Sequence, residues 1–129
     1  MFQAFLNKQF TDYTTDDKVF YPHVIKNEGS GYNSSTSTFT APISGLYAFA
    51  KQTCTSRTGS AVTSFIMNGV RILDTQTTAP VDENACSSGQ VFVQMNKGDQ
   101  MWVVVPFSVT HIMSARFHQS SFAGAFLHP

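Results

Sequence analysis

The sequence predicts a single all-β domain, built as a sandwich or a jelly roll. Runs of alternating side chains rich in Val, Ile, Phe, Tyr and Thr recur between clusters of Gly, Asn, Asp and Ser, whereas helical spacing fails almost everywhere. The chain has 129 residues, enough for one ordinary domain and one core, so residues 1–129 are expected to form one domain. Hydrophobic residues make up 42% and charged residues 12% of the chain, which is the composition of a folded protein.

The strands in the middle of the chain follow from their turn signals. Residues 45–50, GLYAFA, are predicted to form a strand. Residues 61–67 form another, and the dipeptide Asn68-Gly69 that follows suits the positive φ angles of a type I′ turn. This predicts a hairpin whose second strand covers residues 70–73, followed by a long polar loop over residues 74–86.

The last third of the chain contains three more predicted strands. Residues 89–95 and 100–105 flank the turn sequence NKGD, which predicts a second hairpin. Pro106 removes a donor from the ladder and is expected to end the pairing. Residues 121–127 form the final strand.

Several of these strands are apolar on both faces. Residues 46–50, 101–105 and 122–127 carry apolar or small side chains at odd and even positions alike, whereas residues 90–95 alternate Gln and Phe with Val and Met. A chain of this size covers one side of a sheet with a second sheet, so the other apolar side needs a further partner. The simplest such partner is another copy of the chain. The alternating strand, residues 90–95, is expected in a solvated outer sheet.

Composition and missing motifs exclude several classes of function. Eight Lys and Arg balance eight Asp and Glu, so the chain lacks the basic field that nucleic acid binding requires. It contains no apolar run of the length that a membrane helix needs. No G-x-S-x-G elbow, no H-E-x-x-H and no paired Cys and His spacing occurs, which argues against an enzyme and against a zinc site.

Residues 21–49 resemble the signature of the C1q globular domain family. That signature runs from an aromatic residue through Asn or Asp, an aromatic residue and Phe to G-x-Y-x-F. The residues at the matching positions are Tyr21, Asn27, Tyr32, Phe39, Gly45, Tyr47 and Phe49. Tyr21 stands where Phe is usual, and Lys51 stands where a further aromatic residue is expected, which predicts a charge near the sheet edge.

Two further motifs support the same resemblance. KGDQMW at residues 97–102 is similar to the family's G-D-x-V-W hairpin through Gly98, Asp99 and Trp102, and SFAGAFLHP at residues 121–129 is similar to its closing strand. In the closing strand the matching residues include Phe122 and Gly124. The amino-acid sequence of residues 27–42 is most similar to that of molluscan C1q-domain proteins. The matching aromatic residues and Trp102 are expected in the core, and the glycines at close-packed or turn positions.

The resemblance implies a ten-stranded jelly roll that forms a homotrimer, with the terminal strands in the inner sheet along the threefold axis. It also implies a secreted, non-enzymatic lectin-like protein of innate immunity that binds glycans or microbial surface polysaccharides. No collagen-type G-X-Y run occurs within residues 1–129. The alternatives are a cytokine-like receptor ligand and a calcium-binding protein of extracellular matrix or biomineral.

Candidate ligand-binding residues combine aromatic faces, for the apolar side of a sugar, with polar groups for its hydroxyls. An anionic sugar favours the arginines, whose forks match a carboxylate. The candidates are Tyr13, Arg57, Arg71, Asp74, Asp82, Glu83, Arg116 and His118. Asp82 and Glu83 also offer hard oxygen ligands for calcium, the alternative being a solvated turn. No cofactor is required by this interpretation.

Two modifications depend on a secreted location. Cys54 and Cys86 form a disulfide or remain two buried thiols, and sequence alone leaves both open. The triplet Asn33-Ser34-Ser35 is a sequon that accepts a glycan in a secreted protein.

Overall fold

The computed structural model describes residues 1–6, 11–56, 60–78, 84–106, 109–112 and 120–129, and of residues 11–13, 56, 84 and 109–112 it describes the backbone alone. These residues form twelve strands and one short 3-10 helix, Glu28–Ser30. The strands are β1 (Phe2–Phe5), β2 (Thr11–Tyr13), β3 (His23–Asn27), β4 (Tyr32–Asn33), β5 (Thr38–Thr40), β6 (Gly45–Ser56), β7 (Ser60–Met67), β8 (Val70–Thr78), β9 (Asn84–Met95), β10 (Gln100–Val104), β11 (Val109–Ile112) and β12 (Ser121–His128).

The strands form two antiparallel sheets that pack face to face. The seven-stranded sheet has the order β2-β11-β6-β12-β1-β3, and its seventh strand, β9, lies off this path and pairs with β6. The five-stranded sheet has the order β4-β5-β10-β7-β8. The first and last strands lie side by side in the seven-stranded sheet, with Phe2 opposite Gly124. The predicted all-β, jelly-roll fold is therefore confirmed. The number of strands in the described residues is twelve rather than the predicted ten, because segments as short as two residues are counted as strands.

The hairpin predicted at Asn68-Gly69 is present, and its two turn residues have φ angles of 51° and 87°. The polar loop predicted over residues 74–86 is wrong. The second strand of the hairpin continues to Thr78, and β9 begins at Asn84 and pairs with β6 along its whole length. Most of the polar residues in these extensions are Thr and Ser. β-Branched Thr favours an extended backbone, but because its side chain is polar it does not contribute to the hydrophobic alternation that predicts a strand.

The second predicted hairpin is also wrong. β9 pairs with β6 in one sheet, whereas β10 pairs with β5 and β7 in the other. The tight turn over residues 96–99 is real, since the Asn96 amide donates to Asp99 Oδ2 at 2.8 Å and Gly98 has a φ of 93°. Its role is to carry the chain from one sheet to the other, which is a choice that local turn chemistry does not determine.

Because the chain crosses between the sheets at this turn, β9 and β10 belong to different sheets. Of the strands that are apolar on both faces, the structure places β6 and β12 in the seven-stranded sheet and β10 in the five-stranded sheet, and it places the alternating strand β9 beside β6 rather than in a separate outer sheet. The alternation read in β9 is still correct, because Gln90, Phe92 and Gln94 are exposed and Met95 is buried. One face of the seven-stranded sheet is therefore partly polar at its β9 edge and apolar toward its centre.

The core between the sheets is a cluster of aromatic rings. The ring of Phe2 stacks on Tyr32 with centroids 4.6 Å apart and meets Phe122 edge-on at 4.9 Å. The other signature aromatics, Tyr21, Phe39, Tyr47 and Phe49, are buried in the same cluster. Trp102 is not: it lies half-buried on the opposite face of β10, so its expected place in the core is wrong.

Two further signature positions have a clear structural role. The side-chain amide of Asn27 donates to the Tyr32 carbonyl at 2.7 Å and its oxygen accepts from the Tyr32 amide at 3.2 Å, which ties β3 to β4. A Cβ atom added to Gly124 would lie 2.6 Å from Phe2 Cε1, and one added to Gly45 would lie 2.6 Å from the His128 carbonyl oxygen. Both glycines allow close approach of neighbouring groups.

Candidate functional site

The centre of the seven-stranded sheet presents an apolar surface to solvent. Along β6 the odd-numbered side chains face the core, so Ala48 and Ala50 face outward. The register places Phe92 and Ala125 on either side of Ala48, and Ala123 beside Ala50. The outer apolar face is defined here as Ala48, Ala50, Phe92, Ala123, Ala125 and Leu127.

This face has both a ridge and a depression. The side chain of Phe92 is 63% exposed, and Leu127 is 45% exposed. Next to them the small alanines leave a shallow depression of about 170 Å³, which Met1, Phe2 and Gln90 also line. Among the described residues, no charged side chain lines this depression. Such a surface can bury apolar groups but offers few hydrogen bonds, so it suits another protein surface better than a sugar.

Of the predicted ligand residues, the structure brings Arg71 and Asp74 together. Arg71 Nη1 lies 3.1 Å from Asp74 Oδ2 on β8, and both side chains are about half exposed. The Asp74 carboxylate also accepts a hydrogen bond from the Ser64 hydroxyl on the neighbouring strand. The carboxylate therefore orients the guanidinium at the edge of the five-stranded sheet, and an anionic ligand would compete with this ion pair.

The other candidates lie beyond what the structure describes. Arg57, Asp82, Glu83, Arg116 and His118 fall outside the described residues, and Tyr13 ends β2 without a described side chain. Within the described ranges, no group of three or more His, Cys, Asp or Glu side chains could hold a metal ion. The calcium candidates Asp82 and Glu83 therefore stay a prediction.

The outer side of the five-stranded sheet carries a lysine stacked on the half-buried tryptophan. Lys18 Nζ lies 5.1 Å from the centroid of the Trp102 ring and donates to Thr38 Oγ1 at 2.8 Å and to the Thr36 carbonyl at 3.1 Å. Partial burial lowers the pKa of Lys18. The ammonium and its hydrogen bonds cover part of the ring, so this aromatic face is already occupied by the chain itself.

The largest surprise is Lys51, which was expected to place a charge near the sheet edge. It is 2% exposed, and its Nζ atom lies between the two sheets. There it donates to the carbonyl oxygen of Thr63 at 2.9 Å, to the Thr63 hydroxyl at 2.9 Å and to the Thr75 hydroxyl. Burial lowers the pKa of Lys51 from 10.5 to about 8, while the charge of Asp74 opposes the shift.

Around this amine the interior is polar rather than aromatic. We call the group of Lys51, Thr53, Thr63, Thr75 and Thr77 the polar chamber. Thr53 and Thr63 share a hydrogen bond between their hydroxyls at 3.0 Å, and the Thr77 hydroxyl donates to the Thr53 carbonyl at 3.3 Å. The chamber therefore satisfies the ammonium with hydroxyls and a carbonyl, which is how a buried cation is tolerated without a carboxylate in direct contact.

The sequence did contain a signal for this chamber. Lys51 occupies an inward position of β6, two residues after Phe49 and two before Thr53. The facing strands carry Thr63 in β7 and Thr75 and Thr77 at alternate positions of β8. A lysine at a core position, facing strands with inward threonines, is the pattern of a polar interior. The pattern does not stand out in the sequence, because residues 74–86, which include Thr75 and Thr77, are predicted to form a polar loop.

The structure bonds Cys54 to Cys86, which lie directly opposite each other on β6 and β9. The bond joins strands that are already paired in one sheet, at positions facing away from the core. Of the two alternatives that the sequence left open, the structure contains the bridge, and no free cysteine remains.

In the described part of the chain, no helix is both long enough and apolar enough to cross a membrane.

Two antiparallel sheets around an aromatic core, with neighbouring terminal strands, define a jelly-roll domain of the type shared by C1q and tumour necrosis factor. Comparison with solved structures agrees. The globular domain of zebrafish complement 1qA protein superposes with a TM-score of 0.72 over 98% of this chain and 96% of that chain, at 14% identity. The Eiger TNF of S. frugiperda gives a TM-score of 0.73 over 98% and 92%, at 11% identity. These likenesses establish the fold.

The chain belongs to the C1q domain family, because the family model described as C1q domain matches residues 1–127. Among curated proteins it is similar to human complement C1q and tumor necrosis factor-related protein 9B, with 32% identity over 93 residues. That alignment covers 71% of this chain and 27% of the relative, so the chain spans about a quarter of the relative's length. The likeness to molluscan members stays a prediction.

Proposed function

We propose that the protein is a secreted, non-enzymatic recognition domain that works as a homotrimer and binds carbohydrates or other repeating ligands on microbial surfaces. The observation that carries the proposal is the outer apolar face. Three copies that bury this face against one another would remove Phe92 and Leu127 from water, which favours association by about 25 cal/mol for each Å² of apolar surface. The proposed trimer also agrees with membership of the C1q domain family.

The trimer would supply the mechanism of binding. A single shallow sugar site binds weakly, because little surface is buried and many hydroxyls must leave water. Three sites on one rigid body raise the apparent affinity through effective concentration when the ligand repeats at a matching spacing. The candidate binding residues remain Tyr13, Arg57, Arg71, Asp74, Asp82, Glu83, Arg116 and His118.

Arg71 is the candidate whose surroundings are described. Its guanidinium is about half exposed and uses Nη1 to hold Asp74, so part of the fork is open to a carboxylate of an anionic sugar. A neutral substitution of Asp74 would free the guanidinium. If Arg71 contributes to anionic sugar binding, Asp74→Asn should strengthen that binding and Arg71→Gln should weaken it.

A second candidate function is that of a receptor ligand. The likeness to Eiger TNF favours it, because the fold match to that cytokine is as close as the match to complement 1qA protein. In this reading receptors would dock in the grooves between protomers, and sugars would not bind.

A glycan and polysaccharide array separates the two functions. The wild-type protein and a variant with Phe92→Glu, which places a charge on the outer apolar face, are applied at equal concentration. We expect the wild type to bind dense sugars, and the variant to lose binding on the array while keeping its weak affinity for the free sugar. Absence of sugar binding, together with saturable binding to cells, would replace the lectin proposal with the receptor ligand.

A further inference from the structure

We propose that Asn33 carries an N-linked glycan that projects from the edge of the five-stranded sheet, away from the proposed subunit interface. This inference rests on the extracellular location in the proposed function. The triplet Asn33-Ser34-Ser35 has the N-x-S pattern with no proline at its centre. The pattern alone occurs often by chance, so the case depends on where the fold places it.

All three residues of the triplet are exposed. Tyr32, the residue before them, points inward and donates from its hydroxyl to the Tyr21 carbonyl at 2.8 Å. Since side chains alternate along β4, the side chain of Asn33 points outward. The acceptor amide therefore lies on the solvent side of a strand whose other face is held in the core.

The local turn leaves the reacting atom accessible. Asn33 Oδ1 accepts a hydrogen bond from the backbone amide of Ser35 at 2.9 Å, which forms an Asx turn through the oxygen of the side-chain amide. No described residue accepts a hydrogen bond from Asn33 Nδ2, so within the described part of the chain the nitrogen that would bear the sugar has no partner to give up.

The second half of the same turn is anchored, which fixes the direction of a glycan. The Ser37 hydroxyl is buried and accepts from the Tyr21 amide at 2.7 Å, and Thr38 pairs with Asn33 across the β4–β5 ladder. A sugar added at Asn33 would thus leave the domain at a fixed position without displacing a core group.

The position is compatible with trimer formation. β4 is the terminal strand of the five-stranded sheet, whereas the outer apolar face belongs to the seven-stranded sheet. The two sheets pack face to face, so a glycan at Asn33 lies on a different side of the sandwich from Phe92 and Ala125. It would enlarge the hydrated surface without entering the contact between subunits.

The transfer needs one co-reactant, an oligosaccharide linked to a lipid through a diphosphate. The bond that forms joins Asn33 Nδ2 to C1 of the first sugar, and the bond that breaks joins that carbon to the diphosphate oxygen. The amide loses one proton to water, the lipid diphosphate leaves with the electron pair of the broken bond, and no oxidation or reduction occurs.

The test is expression of the full chain in a eukaryotic host behind a signal peptide that directs it into the secretory pathway, with intact-mass analysis of both the cell-retained and the secreted protein. The matched variants are Ser35→Ala, which destroys the sequon but keeps the backbone amide that bonds to Asn33, and Ser34→Ala, which leaves the sequon intact. We expect wild type and Ser34→Ala to carry a glycan that an amidase specific for N-glycans removes, leaving aspartate at position 33. Ser35→Ala should carry none.

Two outcomes would overturn the proposal: a wild-type mass without glycan in both fractions, or a glycan that remains in Ser35→Ala. A change of subunit number between the glycosylated protein and Ser35→Ala would overturn the placement away from the interface. None of these results bears on sugar recognition, which the array measures separately, so failure of this inference and failure of the proposed function are distinguishable.

Discussion

The Nζ atom of Lys51 on β6 donates a hydrogen bond of 2.9 Å to the carbonyl oxygen of Thr63 on β7, so a buried ammonium joins the two sheets through the interior. The same atom lies 5.1 Å from the centroid of the Phe65 ring, at the border between the polar chamber and the aromatic core. The sandwich therefore has two interiors, one held by rings and one by hydrogen bonds. The polar one gives the protein a distinct dependence on pH.

Stability should rise with pH because of Lys51. Burial lowers its pKa in the folded state to about 8, below the value of 10.5 for the free side chain. Between these two values the unfolded chain binds more protons than the folded one, so the free energy of unfolding increases with pH. The full shift corresponds to about 3 kcal/mol, of which somewhat less than half, about 1.3 kcal/mol, is gained between about pH 7 and about pH 9. Chemical denaturation from about pH 7 to about pH 9 measures this slope.

The control for this prediction is Lys51→Met, which keeps an unbranched side chain only one heavy atom shorter and removes the amine. It should abolish most of the pH slope, while Lys97→Met, at an exposed lysine, should leave it unchanged. Equal slopes in wild type and Lys51→Met would contradict the prediction. Measurements should stay below pH 10, because burial raises the pKa of Tyr32 from 10.0 to about 12 and its effect on stability has the opposite sign.

Disrupting the outer apolar face should dissociate the proposed trimer. Phe92→Glu introduces a charge where the ring is 63% exposed, and Val70→Glu makes the same kind of change at a side chain 62% exposed on β8 of the other sheet. We expect Phe92→Glu to sediment as a monomer at concentrations where Val70→Glu and wild type are trimers. Wild-type protein that sediments as a monomer throughout would rule out the interface.

A side chain at position 124 should destabilise the domain. The Cβ atom of Gly124→Ala would lie 2.6 Å from Phe2 Cε1 and 2.7 Å from the Phe49 ring, on the buried face of β12. Forcing the two rings apart should lower the free energy of unfolding by about 1–3 kcal/mol. Urea denaturation measures this change. Gln76→Ala alters an exposed side chain of β8 in the other sheet and should leave stability close to wild type. Equal losses in the two variants would show that the rings are not tightly packed.

Removing the disulfide should also weaken the fold. Cys54 and Cys86 are 32 positions apart. The bridge lowers the entropy of the unfolded chain by closing this loop, which raises the free energy of unfolding by about 3–4 kcal/mol. The double variant Cys54→Ala with Cys86→Ala should therefore unfold at a lower denaturant concentration than oxidised wild type. Wild type treated with reductant should shift toward the variant. Coincident curves for oxidised wild type and the double variant would contradict a stabilising role.

Local sequence patterns were sufficient for the strands that alternate strongly and for the turns between them. Asn68-Gly69 predicted its hairpin because the positive φ angles of a type I′ turn are a property of those two residues. Of the predicted ligand residues, the described part of the chain places the side chains of Arg71 and Asp74. The residue types of Arg71 and Asp74 suffice to predict both as candidates, but their ion pair depends on the bulged register of β7 and β8.

By itself the sequence determined an all-β chain, its main turns, its family resemblance and the presence of strands that are apolar on both faces, of which a second sheet in the same domain can bury only one. Only the tertiary structure decided that the NKGD turn crosses between sheets, that Trp102 lies outside the core and that Lys51 lies inside it. The physical reason is range. Turn geometry and alternation are set by neighbours along the chain, whereas sheet membership and burial depend on strands that are distant in sequence and meet only in the folded sandwich.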